Sequence, residues 1–379
     1  MCIRDRLSAT IGNTGHRYNT AIGSAVYLCC DDGPERAVGE ALLRDLQAGA
    51  TDLGGKTEGD FWTAKTLTNT LKMNWAASPS LISNGLKAYA MHEKDSARFE
   101  QANLRWLATF TDWYCGNWTE LTQTSNKLVD EGRLHNDLLC EFIATTGFAA
   151  TSHLGRLGNA AQTAPAEQMS PTLPIETQNQ AIFPGRDQPK ADDALQLADW
   201  LNFIARCLSA NYHGDTSTAV ALATSFAAQM RDSELANIQL VRVVTNQIVA
   251  LTLLHVNAQK DFRRWPPNQT HPSVQTAAAQ AIVNLRSEKL AFPIMLSELY
   301  GGILAGQNGE TTSSRQRLVA AQQLAIEQGL QPFQLAAEDA LANLQDNAAV
   351  NLLRHRMQNR GIHNPERFER IYTAAIEQR

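Results

Sequence analysis

The chain has 379 residues, 44% of them hydrophobic and 19% charged, which is enough apolar material for a large core and the wrong composition for disorder. Its formal net charge of -5 and sequence pI near 6.0 exclude the large positive field that draws in nucleic acid or an anionic membrane surface. The six cysteines show no CxxC spacing, and the adjacent pair Cys29-Cys30 is poorly placed to close on itself, so a reducing, cytoplasmic compartment is expected. No apolar run approaches the roughly 18 residues of a membrane span, and no signal peptide opens the chain.

In chain order, residues 1–18 form a lead-in whose first six, "MCIRDR", resemble translated sequencing adapter at the ends of genes predicted from metagenomic assemblies. The expectation is a truncated start, with Cys2 set aside. Residues 19–160 carry repeated helical hairpins. "AIGSAVYLCCDDGPERAVGEALLRDLQAG" reads as a helix, a turn at Asp31 to Gly33 and a return helix from Pro34 to a stop at Gly49. "FWTAKTLTNTLKMNWAASPSLISNGLKAYAMHE" repeats the plan, with Ser78 as N-cap before Pro79. A third copy runs on Leu104, Leu107 and Thr111, breaks at Gly116-Asn117, and returns on Trp118, Leu121, Ser125 and Leu128 to stop at Gly132. Helix starts near 19, 59 and 99 give a spacing of roughly 40 residues, in the range of helical-hairpin repeats.

Residues 161–193 hold Pro165, Pro171, Pro174, Pro184 and Pro189 without helical period, a loop or linker whose Ile182 and Phe183 offer an alternative docking role. Residues 194–379 resume the pattern. Leu201, Ile204, Cys207 and Leu208 lead to Tyr212-His213-Gly214-Asp215, and Ala219, Ala223, Phe226 and Met230 return. An interruption at Trp265 to Pro272 follows a helix near 234–258. Leu299, Ile303 and Leu304 then break at Gly306 to Gly309 and return on Leu318, Ala321 and Ala325 to Gly329. The basic run Arg354-His355-Arg356 with Arg360, Arg367 and Arg370 is interleaved with Glu366, Glu369 and Glu377, and reads as a solvated helix face.

One stretch, "GATDLGGKT", matches the looser phosphate-loop pattern through Ala50, Gly55, Lys56 and Thr57. A working phosphate loop follows a buried strand, whereas residues 37–48 have the Leu42, Leu43, Leu46 spacing of an amphipathic helix. The match is therefore read as chance, a polar inter-repeat loop turned by Gly54-Gly55, and no cofactor is expected. No metal site is expected either: the nine histidines are scattered, no HExxH occurs, and His355 and His363 flank a helix end at Gly361. Cys115, Cys140 and Cys207 fall on apolar faces and read as small hydrophobes. Neither a GxSxG elbow nor a pocketed carboxylate pair is evident, Asp192-Asp193 included, so no catalytic residue is assigned.

Turns such as "YCGNWTEL" and "YHGDTSTAV", endings such as "LAIEQGLQP" and the tail "NRGIHNPERFERIYTAAIEQR" resemble the degenerate tetratricopeptide-like repeats in the C-terminal sensor regions of large bacterial signalling ATPases and kinases. That resemblance implies an all-α, right-handed α-solenoid of about seven to eight hairpins. It also implies a protein-interaction or ligand-sensing regulatory scaffold, not an enzyme, a fragment of a larger signalling protein that binds a protein or peptide on its concave face or an upstream domain of its own chain. A stand-alone adaptor and an all-helical enzyme are the alternatives. Nucleic acid and membrane are not expected partners.

Overall fold

The computed structural model describes residues 14–30, 33–91, 97–154, 195–258, 274–344 and 351–376. The lead-in to residue 13, Cys2, the proline-rich segment 161–193, Asp192-Asp193 and the Trp265–Pro272 interruption lie outside the described residues. Among those described there are 17 α-helices and no β-strand, with 84% of residues helical. The chain divides into two compact units, residues 1–111 with 237–240, and residues 112–236 with 241–379.

In the first unit, helices α1 (Thr14–Cys30), α2 (Glu35–Leu53), α3 (Gly55–Leu71) and α4 (Ser78–Ala90) follow one another closely, and α5 (Arg98–Cys115) begins there. Helix α3 is the hub, packing on α1, α2 and α4. Ile22, Ala25, Leu43, Phe61 and Ala64 form one core cluster, and Ile82, Tyr89, Leu104 and Ala108 a second. Because α3 is surrounded, it also buries Thr66, Thr68 and Thr70. Threonine fits such a position by returning its hydroxyl to the preceding turn: Thr66 Oγ1 donates to the Trp62 carbonyl at 2.8 Å and Thr70 Oγ1 to that of Thr66 at 3.0 Å.

The second unit contains α6 (Trp118–His135), α7 (Leu138–Thr145), α8 (Thr151–Leu154), α9 (Leu197–His213), α10 (Thr216–Arg231) and most of α11 (Gln239–Ala258). Then come α12 (Val274–Ser287), α13 (Ala291–Gln307), α14 (Thr311–Glu327), α15 (Gln331–Asn343), α16 (Leu352–Asn359) and α17 (Pro365–Glu369). Helices α9 and α10 fold back on each other, as do α12 and α13, α13 and α14, and α14 and α15. Small residues let these backbones approach: Ala219 and Ala223 are fully buried, and Phe226 stacks on Phe203 with ring centroids 4.2 Å apart. Each fully buried Leu or Phe in such seams contributes about 1.5–3 kcal/mol. Helix α13 is buried over nearly its whole length, and its one acid, Glu298, is held by Arg286 of α12 and Arg317 of α14.

Several sequence expectations need correction at helix ends. Helix α2 runs through Gly49 to Leu53, and α6 runs through Gly132 to His135, where Asn136 (φ 53°) supplies the left-handed cap. Both glycines serve close packing instead: a Cβ on Gly132 would lie 2.7 Å from Glu141 Cγ, and one on Gly49 would collide with the Tyr18 ring. Ser78 is not an N-cap, because a 3-10 turn at Trp75–Ala77 runs directly into α4 and Ser78 Oγ donates back to the Asn74 carbonyl at 3.3 Å. Helix α13 also continues through Gly306 and breaks at Asn308-Gly309.

A further difference concerns α11. No uninterrupted apolar run marks it in the sequence, because Arg242, Asn246 and Gln247 are interspersed. Even so, its mean hydropathy of 1.3 makes it long and apolar enough to cross a membrane by length and composition. Within the protein 78% of that window is buried, which is how a central core helix behaves.

Candidate functional site

The residues of the phosphate-loop match sit at a helix junction. Ala50 is buried in α2, Gly54 alone links α2 to α3, and Gly55, Lys56 and Thr57 form the first turn of α3. The expected polar loop is absent, since Gly54 (φ 59°) and Gly55 (φ 53°) turn the chain in a conformation that glycine adopts without steric cost. Lys56 Nζ reaches Asp60 Oδ1 at 3.2 Å and also bonds Glu100. Partial burial alone lowers its pKa, but the bonds to Glu100 and Asp60 outweigh that and the net shift is upward. Asp60 in turn accepts from the Tyr89 hydroxyl at 2.8 Å. The lysine is thus engaged by side chains of α3 and α5.

In the second unit, polar and aromatic groups converge on the C-terminal segment. Trp113 stacks between Phe148 and Tyr372, with centroids 4.3 and 4.5 Å away, and Tyr114 meets Phe292 edge-on at 4.9 Å. Such pairs add about 0.5–1.5 kcal/mol beyond the area they bury. Tyr372 is the keystone: its hydroxyl donates to the Trp113 carbonyl at 2.9 Å and accepts from Trp118 Nε1 at 2.8 Å. Residues 373–376 have no regular secondary structure, yet Thr373, Ala374 and Ile376 are buried. Side chains of the helices read their backbone. Gln307 Nε2 donates to the Ala375 carbonyl at 2.8 Å and to that of Leu254 at 3.2 Å, while Asn257 Nδ2 donates to Gln307 Oε1 at 2.8 Å.

Beside this segment lies a polar cleft of about 530 Å³. Its walls are the α9–α10 turn, the end of α11, one face of α15, the start of α16, and residues 366–376. The α9–α10 turn is set by Gly214 (φ 73°), which ends α9, and by Asp215, which caps α10 by accepting from the Thr218 N–H at 3.1 Å. Gly214 is also a point of close approach, for a Cβ there would lie 2.6 Å from Arg370 Nη1. His255 Nε2 is 2.7 Å from the Arg370 carbonyl, so that nitrogen carries the proton and donates. Packing removes water from the imidazole and, partly offset by that bond, pulls its pKa down to about 4, with the charge of Arg370 adding to the fall.

On the α15 side, buried Asp339 caps α16 with both oxygens. Oδ1 accepts from the Leu352 N–H at 2.7 Å and Oδ2 from that of Leu353 at 2.9 Å. Burial raises its pKa to about 6 despite those bonds. Arg354 bonds Glu369 and lies 3.7 Å from Glu366. Charged and polar groups from several elements thus converge on one cleft, and two of them, Asp339 and His255, have shifted pKa values. Among the described residues no group of three His, Cys, Asp or Glu side chains is placed to hold a metal ion.

Sequence reasoning missed this cleft. It assigned Arg354 and Arg370 to a solvated helix face; Arg370 is exposed, but it and the half-buried, ion-paired Arg354 also line the cleft. His255 and Asp339 carry no motif and were not singled out. The reading of Cys207 as a small hydrophobe does agree with its surroundings: it is fully buried, and burial pushes its thiol pKa up to about 12. No protein-family model, curated protein or solved structure matches the chain.

Proposed function

We propose that this chain is a ligand-sensing or protein-interaction module, built as a right-handed α-solenoid of tetratricopeptide-like hairpins and acting as the regulatory part of a larger bacterial signalling protein in the cytoplasm. The observation that carries this reading is the succession of hairpins α1–α2, α3–α4, α9–α10 and α13–α14, whose helices pack on each other across short turns, those of the last two pairs containing Gly214 and Gly309. Hairpins of this kind bury their apolar stripes only by stacking, and stacked hairpins present long faces suited to a protein, a peptide or an upstream domain of the same chain.

The all-helical enzyme reading draws on one observation, the shifted Asp339 and His255 in the cleft. Both oxygens of Asp339 are committed to the N-terminus of α16, and the His255 proton to the Arg370 carbonyl, which favours positioning over proton transfer. Sequencing the source locus upstream of the Leu7 codon tests the proposal. An open frame running into an ATPase or kinase domain is the expected result. A start codon preceded by an in-frame stop would make the chain a stand-alone adaptor.

A further inference from the structure

The charges of the cleft do not cancel locally. Arg354 is held by Glu369 and Glu366. Arg370 is different: among the described residues nothing accepts a hydrogen bond from its exposed guanidinium, although its backbone is held. Its carbonyl is bound by His255, and its side chain reaches the α9–α10 turn where Gly214 has no Cβ to block it. Thr373, on the same wall, has a hydroxyl with no bond among the described residues. Arg370 thus presents to the cleft a cation with open donors.

The lining of the same cleft also carries acid in excess. Asp339 lies under α16, and the side chain of Glu366 is 74% exposed with only the 3.7 Å contact to Arg354. Three carboxylates face two guanidiniums around the cavity, so a polyanion such as a nucleoside triphosphate would meet net repulsion. An apolar ligand would remove Arg370 and Glu366 from water without compensation. A ligand with one charge of each sign meets both the open guanidinium and the exposed carboxylate.

We propose that the cleft binds a small zwitterion, its carboxylate on the Arg370 guanidinium and Thr373 hydroxyl, and its ammonium on the exposed Glu366 carboxylate. This deepens the ligand-sensing reading and rests on it. Such a ligand touches the α9–α10 turn, α15 and the C-terminal segment at once, so its binding free energy appears as added stability of the second unit.

The test uses the full chain and the ω-amino acids glycine, β-alanine, γ-aminobutyrate and 5-aminovalerate, followed by calorimetric titration and by thermal unfolding. The expected result is that one chain length binds saturably and raises the melting temperature, while acetate and ethylammonium at the same concentration do not. Arg370→Gln should weaken that binding about tenfold or more, the loss of roughly 1.4 kcal/mol. Its own melting temperature should stay close to the parent's, since the exposed side chain makes no bond among the described residues. Arg370→Lys, which keeps the charge but loses the planar fork, should fall between. Failure of every ω-amino acid to bind, or equal binding by Arg370→Gln, would overturn the proposal. Either failure would leave the hairpin-module reading standing, because the source locus decides that separately.

Discussion

Two glycine turns invite comparison, Gly54-Gly55 in the first unit and Gly214 in the second. The first carries a recognisable sequence pattern and leads to a lysine whose charge is taken up by Asp60 and Glu100. The second matches no motif, yet it sets the wall of a cleft where His255, Asp339, Glu366 and Arg370 converge. A motif specifies chemistry only when its neighbours in space are right, and a strand delivering the loop is the neighbour that the first turn lacks. Convergence of ordinary residues from distant helices does the opposite. It builds a site that no local spacing announces.

The comparison can be broken most forcefully at the packing that supports the cleft. Ala223→Asp places an unpaired carboxylate in the fully buried α9–α10 seam and should unfold the second unit, a cost of several kcal/mol, about 3–5. Loss of cooperative unfolding by circular dichroism is the expected signature. Tyr372→Phe keeps the ring but leaves Trp118 Nε1 without its acceptor. It should cost about 1–3 kcal/mol in denaturant unfolding.

Asp112 offers a test of intermediate size. Burial, with Glu120 adding to it against a bond from Asn117, raises its pKa to about 7. A folded-state pKa above the unfolded value means that the folded state holds the proton more tightly, so this stabilising contribution is complete at low pH and is lost as pH rises through about 7. Asp112→Asn should therefore stabilise the protein at pH 8, on the order of 2–4 kcal/mol, and gain little at pH 4. His255 has the opposite sign. Its depressed pKa makes its contribution full above the ordinary histidine value and lost as pH falls through about 4. Denaturant curves across that range separate the two.

The smallest effect is expected at the motif itself. Lys56→Ala removes ion pairs whose lysine side chain is 36% exposed, so the loss should stay below about 1 kcal/mol.

Most helices were legible because Leu and Ala recur at helical spacing, as in Leu318, Ala321 and Ala325 of α14, and because Gly116, Gly214 and Gly329 do end helices in positive φ. Glycine stops failed where glycine had another task. Gly49 and Gly132 lie inside helices because Tyr18 and Glu141 press against them, and nothing in the local sequence distinguishes that use from a cap. The cleft was illegible for a related reason. His255 and Arg370, 115 positions apart, are each unremarked in sequence and acquire a role only when α11 and the C-terminal segment meet. Tyr372 likewise looked like one aromatic in a basic tail, not a residue joined to both Trp113 and Trp118.

The most direct measurement is one titration series on three full-length proteins: the parent, Lys56→Ala and Arg370→Gln, each with Mg·ATP and with the ω-amino acids. The account predicts no saturable ATP signal in any of them, and an ω-amino acid signal retained in Lys56→Ala and lost in Arg370→Gln. Saturable ATP binding that Lys56→Ala abolishes would contradict it, for the sequence motif would then be the site and the cleft would not.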